Sequence, residues 1–382
     1  MREAPHPISH SKVLVFNFFF LPEMDATIGC IELRLLLTKV LITGASGQDG
    51  YYLINLLRQQ GCEVHAQSRR RMQPNPHPDA VHWHMGNPTD RSFLDTLVSG
   101  VMPDEIYNLA AVSRPTQSWN APRETSDVNG FVPQDICELL LKYKPDCRLF
   151  QASSSEIFGD ATDHAQNEQT LCAPKSPYGA AKLYAHRIVG AYRAQYGLHV
   201  STGILFNHES PRRPLSFVSQ KVAYAAAAVS LGLSETPEAD ERGRPLLLDG
   251  KIALGDLSVR RDFGFAGDYV EAMRLIVQHP VADDYVVGTG EDHSIEEFCN
   301  EAFNLVGHKW TDHVILDPGL IRKVDSRCTR ADTAKIRSVL SWRPRVNFQA
   351  LVSMMVKAQT AFIQDNISSG GAPDGGCRSV EH

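Results

Sequence analysis

Lys39-Val-Leu-Ile-Thr-Gly44-Ala-Ser-Gly47-Gln-Asp-Gly50-Tyr-Tyr-Leu-Ile-Asn-Leu-Leu-Arg-Gln59 runs from a short apolar segment through a glycine-rich turn into a stretch of helix length, and a second apolar run begins at Cys62. Strand, turn, helix and strand in that order form the unit from which parallel sheets are wound. The turn has the spacing Gly-x-x-Gly-x-x-Gly over Gly44, Gly47 and Gly50. Glycines there allow a tight bend and let a pyrophosphate approach main-chain N–H groups at a helix N-terminus, where a side chain would hold it off. A bare glycine pattern is weak; its place between strand and helix makes it a dinucleotide-binding signal carried by Gly44, Ser46, Gly47, Gln48, Asp49 and Gly50.

Outward from this unit the pattern repeats. Apolar strands are expected at Val81 to Met85, Glu105 to Ala110, Arg148 to Ala152 and Val200 to Phe206, with helix-length stretches at Thr125 to Tyr143 and Ser176 to Tyr196. The expected fold is α/β, a Rossmann-type doubly wound parallel sheet with a smaller C-terminal α/β substrate lobe. Residues 37–206 form the dinucleotide domain, with segments returning to it near 255–275 and 311–317, and residues 207–365 mainly form the lobe. A charged, Pro-containing insert, Glu235 to Gly250, interrupts the lobe.

The chain has 382 residues, 43% of them hydrophobic, enough for a sizeable core. Its 44 acidic and 38 basic residues leave a net charge of −6 with no basic block, which excludes nucleic acid as a partner. Eight scattered cysteines without Cys-x-x-Cys spacing read as reduced thiols, pointing to a cytoplasmic protein. Val13 to Leu21 (VLVFNFFFL) follows Arg2 and Lys12 as a signal region would. It is too short to span a bilayer and no Ala-x-Ala site follows, so residues 1–36 are expected to be a loosely structured extension and no membrane association is expected. The Gly-rich tail 366–382 is expected to be disordered.

At the end of the second strand, where an NAD enzyme places an acid, the chain reads Gln67-Ser-Arg69-Arg70-Arg71. A carboxylate would repel a 2′-phosphate and an arginine grips it, so Arg69 and Arg70 favour NADP, the alternative being a solvated basic loop. Tyr178 and Lys182 are spaced to project from one helical face, and a nearby ammonium should lower the phenol pKa so that Tyr178 can take a proton from a sugar hydroxyl. The pair gains meaning from Gln151-Ala-Ser-Ser154-Ser-Glu156 at a strand end. Ser154 supplies a hydroxyl. Glu156 is more than a dehydrogenase needs. A base that removes a carbon-bound proton beside a new ketone permits elimination one carbon further on, the structural alternative being a carboxylate that caps the next turn. His82-Trp-His84 reads as side chains on one face of a strand with no accompanying carboxylate, so no metal is expected.

Together with Tyr107-Asn-Leu-Ala-Ala111, Ser176-Pro-Tyr-Gly-Ala-Ala-Lys-Leu-Tyr184, Gly203-Ile-Leu-Phe-Asn-His-Glu-Ser-Pro-Arg-Arg213, Arg261-Asp-Phe-Gly264 and Asp268-Tyr-Val-Glu-Ala-Met273, these motifs resemble the GDP-mannose 4,6-dehydratases of the extended short-chain dehydrogenase group, over Lys39 to Gln364. The resemblance implies Glu156 as the base at C5, Tyr178 as the base at C4, Lys182 as its partner, and Ser154 where many members carry threonine. It implies cofactor contacts from Asn87, Pro88, Leu109, Ala110, Ala111, Ser113, Lys182, His208 and Arg213. It implies GDP contacts from Asn207, Phe217, Lys221, Arg261, Arg322 and Asp325. Asn87, Glu124 and Asp325 depart from the residues usual at those positions. A homo-oligomer is expected, dimer or tetramer, and the short loop Gln73 to Ala80, which in relatives helps subunits share cofactor contacts in a tetramer, favours the dimer. Three readings stay open beside GDP-mannose dehydration: a related GDP-sugar such as a GDP-manno-heptose, a 4-keto reductase or epimerase, and a non-catalytic NADP-binding sensor.

Overall fold

The computed structural model describes residues 37–70, 80–159, 164–240, 242–322 and 328–368. The extension 1–36, Arg71 and Asp325 lie outside the described residues. The first unit folds as its sequence directs: strand β1 (Lys39–Thr43) leads through the glycine turn into helix α1 (Gln48–Gln59), then strand β2 (Glu63–Ser68). Strand β3 (His82–Met85), helix α2 (Arg91–Val101) and strand β4 (Glu105–Asn108) follow. Helices α3 (Pro122–Ser126) and α4 (Val132–Tyr143) are separated by a π-helical turn, Asp127–Phe131, so the single helix expected over this stretch is broken, next to Pro133, which has no N–H to offer the helical ladder. Strand β5 (Arg148–Ser154), helix α5 (Pro177–Tyr196) and strand β6 (Val200–Leu205) complete the half.

These six strands and Asp284–Val287 form one parallel sheet in the order Asp284–Val287, β6, β5, β4, β1, β2, β3. Side chains alternate across it. Leu41, Ile106 and Leu149 pack with Leu94, Ile136 and Val189 of α2, α4 and α5. Val40, Ile42, Tyr107 and Phe150 pack with Leu53 of α1 and Met273 of the helix Ala266–Gln278 on the other face. Both faces are covered, as a parallel sheet requires.

A seventh strand, Asp284–Val287, joins the main sheet beside β6. Within the segment expected to return near 255–275, the helix Ala266–Gln278 packs on that sheet, while Phe263–Phe265 pairs with Asn207–Glu209. Val314–Leu316 pairs with Ile252–Leu254. A second core joins helix Val218–Ser230 to Ile295–Asn304 and Phe348–Ser368 through Val222, Ala226, Phe298, Leu351 and Met355. The last of these helices runs to Ser368, two residues past the expected start of the tail at Asn366.

Candidate active site

Two adjoining clefts open where the strands end. The first is lined by Gly44, Ser46, Gly47, Gln48, Asp49, Gly50, Arg69, Arg70, Asn87, Pro88, Leu109, Ala110, Ala111 and Ser113. The second is lined by Ser154, Glu156, Tyr178, Lys182, Asn207, His208, Lys221, Arg261 and Arg322. Asp49, Arg213 and Phe217 lie on both, so the two share a wall. The arrangement thus brings together every candidate residue except Asp325.

The glycine turn is shaped for close approach. Gly44 has φ +65°, and a Cβ there would stand 2.7 Å from the Ala110 backbone. At Gly50 a Cβ would meet the Ala45 carbonyl oxygen at 2.3 Å. Helix α1 starts at Gly47 with no side-chain cap, so its first N–H groups and positive dipole end are left for an anion. Gln67 braces the turn, accepting from Gly44 N at 2.9 Å and donating to the Gly86 carbonyl at 2.6 Å. Ser68 Oγ donates to Ser46 Oγ at 3.1 Å, tying the end of β2 to the turn. These residues fit a dinucleotide. Beyond β2, Arg69 Nη1 lies 3.1 Å from Glu124 Oε1, both half-exposed at the rim.

Beneath the cleft floor, Thr43 Oγ1 donates to Asn108 Oδ1 at 2.5 Å, Asn108 Nδ2 donates to Gln151 Oε1 at 2.7 Å, and Ala110 N donates to Thr43 Oγ1 at 3.2 Å. This buried row fixes the start of the loop Leu109 to Ser113. Sequence reading passed over it, as it passed over Arg114 and Ser216, which line both clefts. Arg114 directly follows the Leu109 to Ser113 loop at the C-terminal end of β4, a position that could have flagged it.

Helix α5 carries Tyr178 and Lys182 into the second cleft; Ser176 caps its start by accepting from Gly179 N at 3.0 Å, and Pro177 stands at its first position. The expectation that Lys182 lowers the Tyr178 pKa is not met. Burial pushes the phenol up to about 12, opposed by a hydrogen bond with Ser154. Lys182 is itself pushed down to about 8 by burial, and its Nζ donates to the Ala152 carbonyl at 2.9 Å instead of to the phenol. Glu156 stands in the same cleft. The turn that it was expected to cap as the structural alternative is capped by Ser154, whose Oγ accepts from Glu156 N at 3.3 Å.

The wall between the clefts is an ion pair, His208 Nε2 and Asp49 Oδ2 at 2.9 Å. Arg213 Nε pairs with Glu209 Oε2 at 2.9 Å and its guanidinium stacks on the Phe217 ring at 3.6 Å. At the far end, Lys221 and Arg261 are buried and Arg322 completes a trio of cations from three segments of the chain. Three cations converging on one pocket suit a diphosphate. His82 and His84 lie apart from both clefts. The carboxylate missing from the sequence reading is present after all: Glu63, on β2, stands with His65 and His82.

Among the described residues no helix is long and apolar enough to cross a membrane. A family model described as GDP-mannose 4,6 dehydratase matches residues 41–355. GDP-mannose 4,6 dehydratase 1 of Arabidopsis thaliana is 39% identical over 333 residues, 83% of this chain and 88% of the relative. The GDP-mannose 4,6 dehydratase of Homo sapiens is 36% identical, over 85% of this chain and 92% of its own. Among solved structures, MoeE5 in complex with UDP-glucose and NAD matches at TM-score 0.71 and 25% identity, over 85% of this chain and 99% of that one. RMD from Pseudomonas aeruginosa complexed with NADPH matches in fold at TM-score 0.69 and 19% identity.

Proposed function

Because the chain belongs to the GDP-mannose 4,6-dehydratase family, we propose that its two clefts work as one site that removes water from GDP-mannose to give the 4-keto-6-deoxy sugar nucleotide. The observation that carries this reading is Glu156 in one cleft with Ser154, Tyr178 and Lys182, an elimination base beside a dehydrogenase pair. A nicotinamide cofactor occupies the first cleft, and NADP is the form favoured, since Arg69 and Arg70 stand at its rim where an NAD enzyme carries an acid. When bound, the cofactor supplies a hydride acceptor, a hydride donor and a positively charged ring.

Lys221, Arg261 and Arg322 hold the diphosphate, which fixes the hexose against Tyr178. Tyr178 takes the proton of the C4 hydroxyl, and Ser154 steadies the same oxygen by hydrogen bonding. With the C4 hydride also lost, for which the bound cofactor would be the acceptor, the ketone formed at C4 acidifies the C5–H bond. Glu156 removes that proton and hydroxide leaves C6 as water with a proton delivered from the site. The unsaturated ketone regains hydride at C6 and a proton at C5, so the cofactor ends as it began. Likeness to the family adds Asp325 to the nucleotide clamp.

Six cysteines among the described residues are free thiols, which supports a cytoplasmic location. Exposed Phe131 and Tyr184, packed edge to face at 5.3 Å, offer an apolar patch that supports homo-oligomer formation, as dimer or tetramer. Incubation of the purified protein with GDP-mannose and mass spectrometry of the nucleotide sugar tests the function. Loss of one water is expected; an unchanged mass would point to an epimerase or a binding protein.

A further inference from the structure

Four residues that the dehydration leaves unused gather at the sheet edge. Glu63 and His65 alternate along β2, His82 and His84 along β3, and His65 is the register partner of His82, so all four side chains stand on one face. His65 Nε2 lies 3.0 Å from Glu63 Oε1, and His82 Nε2 lies 4.0 Å from the same oxygen. The rings of His65 and His82 stack with centroids 4.7 Å apart. One donor atom from each of Glu63, His65 and His82 lies within 4.8 Å of the others. Donors about 2.0–2.2 Å from a tetrahedral zinc ion stand roughly 3.4 Å from one another. The spacing found here closes to that value by small side-chain rotations, and His82 is free to make them, its side chain being 63% exposed.

We propose that Glu63, His65 and His82 form a binding site for a late first-row divalent cation of the zinc class. Two imidazole nitrogens and one carboxylate oxygen are borderline donors that suit zinc, copper(II) or nickel(II) over magnesium or calcium, which prefer oxygen alone. A solvent molecule fills the fourth position. The contact between His65 Nε2 and Glu63 Oε1 is the one that the ion replaces. His65 keeps its other ring nitrogen bonded to His84, Nδ1 to Nε2 at 2.9 Å, the outer contact that orients a ligating histidine and fixes its tautomer. A half-buried ligand with its orienting partner in place, next to an exposed one, is a partly preformed site and not a chance meeting of surface charges.

The site bridges β2 to the edge strand β3. Both strands run on into the nucleotide cleft, β2 to Arg69 and β3 to Asn87 and Pro88. An ion there clamps the edge strand on which the rim of that cleft is built, so its role is structural and needs no part in the reaction.

The test is titration of the chelator-stripped full-length protein with zinc chloride, followed calorimetrically, for wild type and variants. Wild type is expected to take up one more equivalent at micromolar affinity than His82→Ala, and Glu63→Gln to lose the same equivalent. His84→Gln should keep it with about 10–100-fold weaker affinity, as loss of an orienting partner does. With copper(II), electron paramagnetic resonance of wild type should show coupling to two imidazole nitrogens, falling to one in His82→Ala. Equal stoichiometry and affinity in wild type, His82→Ala and Glu63→Gln, or a copper signal unchanged by His82→Ala, would overturn the proposal. The exposed position of His82 makes its variant the one least able to disturb folding.

Discussion

Arg69 Nη1 and Glu124 Oε1 lie 3.1 Å apart at the rim of the first cleft, so this cation is already held by a carboxylate. In the proposed NADP site a 2′-phosphate that arrives at Arg69 would have to displace or tolerate that carboxylate. On that reading the two residues act on cofactor choice in opposite directions.

Replacing Arg69 and Arg70 by alanine should weaken NADP(H) binding much more than NAD(H) binding in fluorescence titrations. Glu124→Gln should do the reverse and tighten NADP(H) by about 2–5-fold, the scale of one exposed ion pair of up to about 1 kcal/mol, with NAD(H) little changed. Equal changes for both cofactors would remove Arg69, Arg70 and Glu124 from cofactor choice.

The Asp49–His208 pair should leave a mark on the pH dependence of stability. Burial alone would raise Asp49 and lower His208, yet Asp49 is held below its usual 3.8 and His208 above its usual 6.5 by each other's charge and hydrogen bond. A depressed carboxylate contributes stability above its unfolded value and loses it as pH falls through the folded one; a raised imidazole contributes fully below its unfolded value and loses it as pH rises through the folded one. The contribution is therefore complete between about pH 4 and 6.5 and declines above that as His208 deprotonates. Denaturant unfolding of His208→Ala should show a loss of about 3 kcal/mol at pH 5–6, the scale for a buried charge left unpaired, and a smaller loss at pH 8–9. A loss that is the same at every pH would contradict the pairing.

Ser154 should act through Tyr178. Its hydrogen bond counters the burial that pushes the phenol up to about 12, so Ser154→Ala should move the ascending limb of the kcat profile, where Tyr178 loses its proton, to higher pH as well as lower the rate. Tyr178→Phe should cost about 10²–10⁴-fold in kcat at any pH. A Ser154→Ala enzyme that is slower with an unmoved pH profile would limit Ser154 to holding the substrate.

Glu156→Gln separates the two halves of the chemistry. It should abolish release of dehydrated product while bound reduced cofactor still forms slowly from GDP-mannose, seen as absorbance of the reduced nicotinamide. Dehydration at near the wild-type rate would return Glu156 to a structural role.

The parts of this molecule that are written locally could be read from the chain. Gly44 to Gly50 announce the cofactor turn because backbone angles and close approach restrict them to glycine, and the strands to Val200 follow from short apolar runs between helix-length segments. What depends on distant pairing was not legible. The strands at 252–254, 260–261 and 263–265 are only two or three residues long, defined by partners far away in sequence. Glu63 could not be joined to His82 without the register of β2 against β3. The helical spacing of Tyr178 and Lys182 correctly put both in one cleft, but spacing carries no information on burial, and burial is what raises the phenol and lowers the ammonium. Glu156 stood out because its residue type exceeds what oxidation needs, whereas the capping of its turn by Ser154 depends on local backbone geometry that spacing does not reveal.

In the proposed dehydration one hydride leaves C4 and returns at C6 within a single site. GDP-mannose deuterated at C4 follows that hydride, with nuclear magnetic resonance or mass spectrometry of the product. Deuterium is expected at C6, with no net accumulation of reduced cofactor and no need to supply any. Label that stays at C4, washes out into solvent or appears only in released reduced cofactor would contradict it.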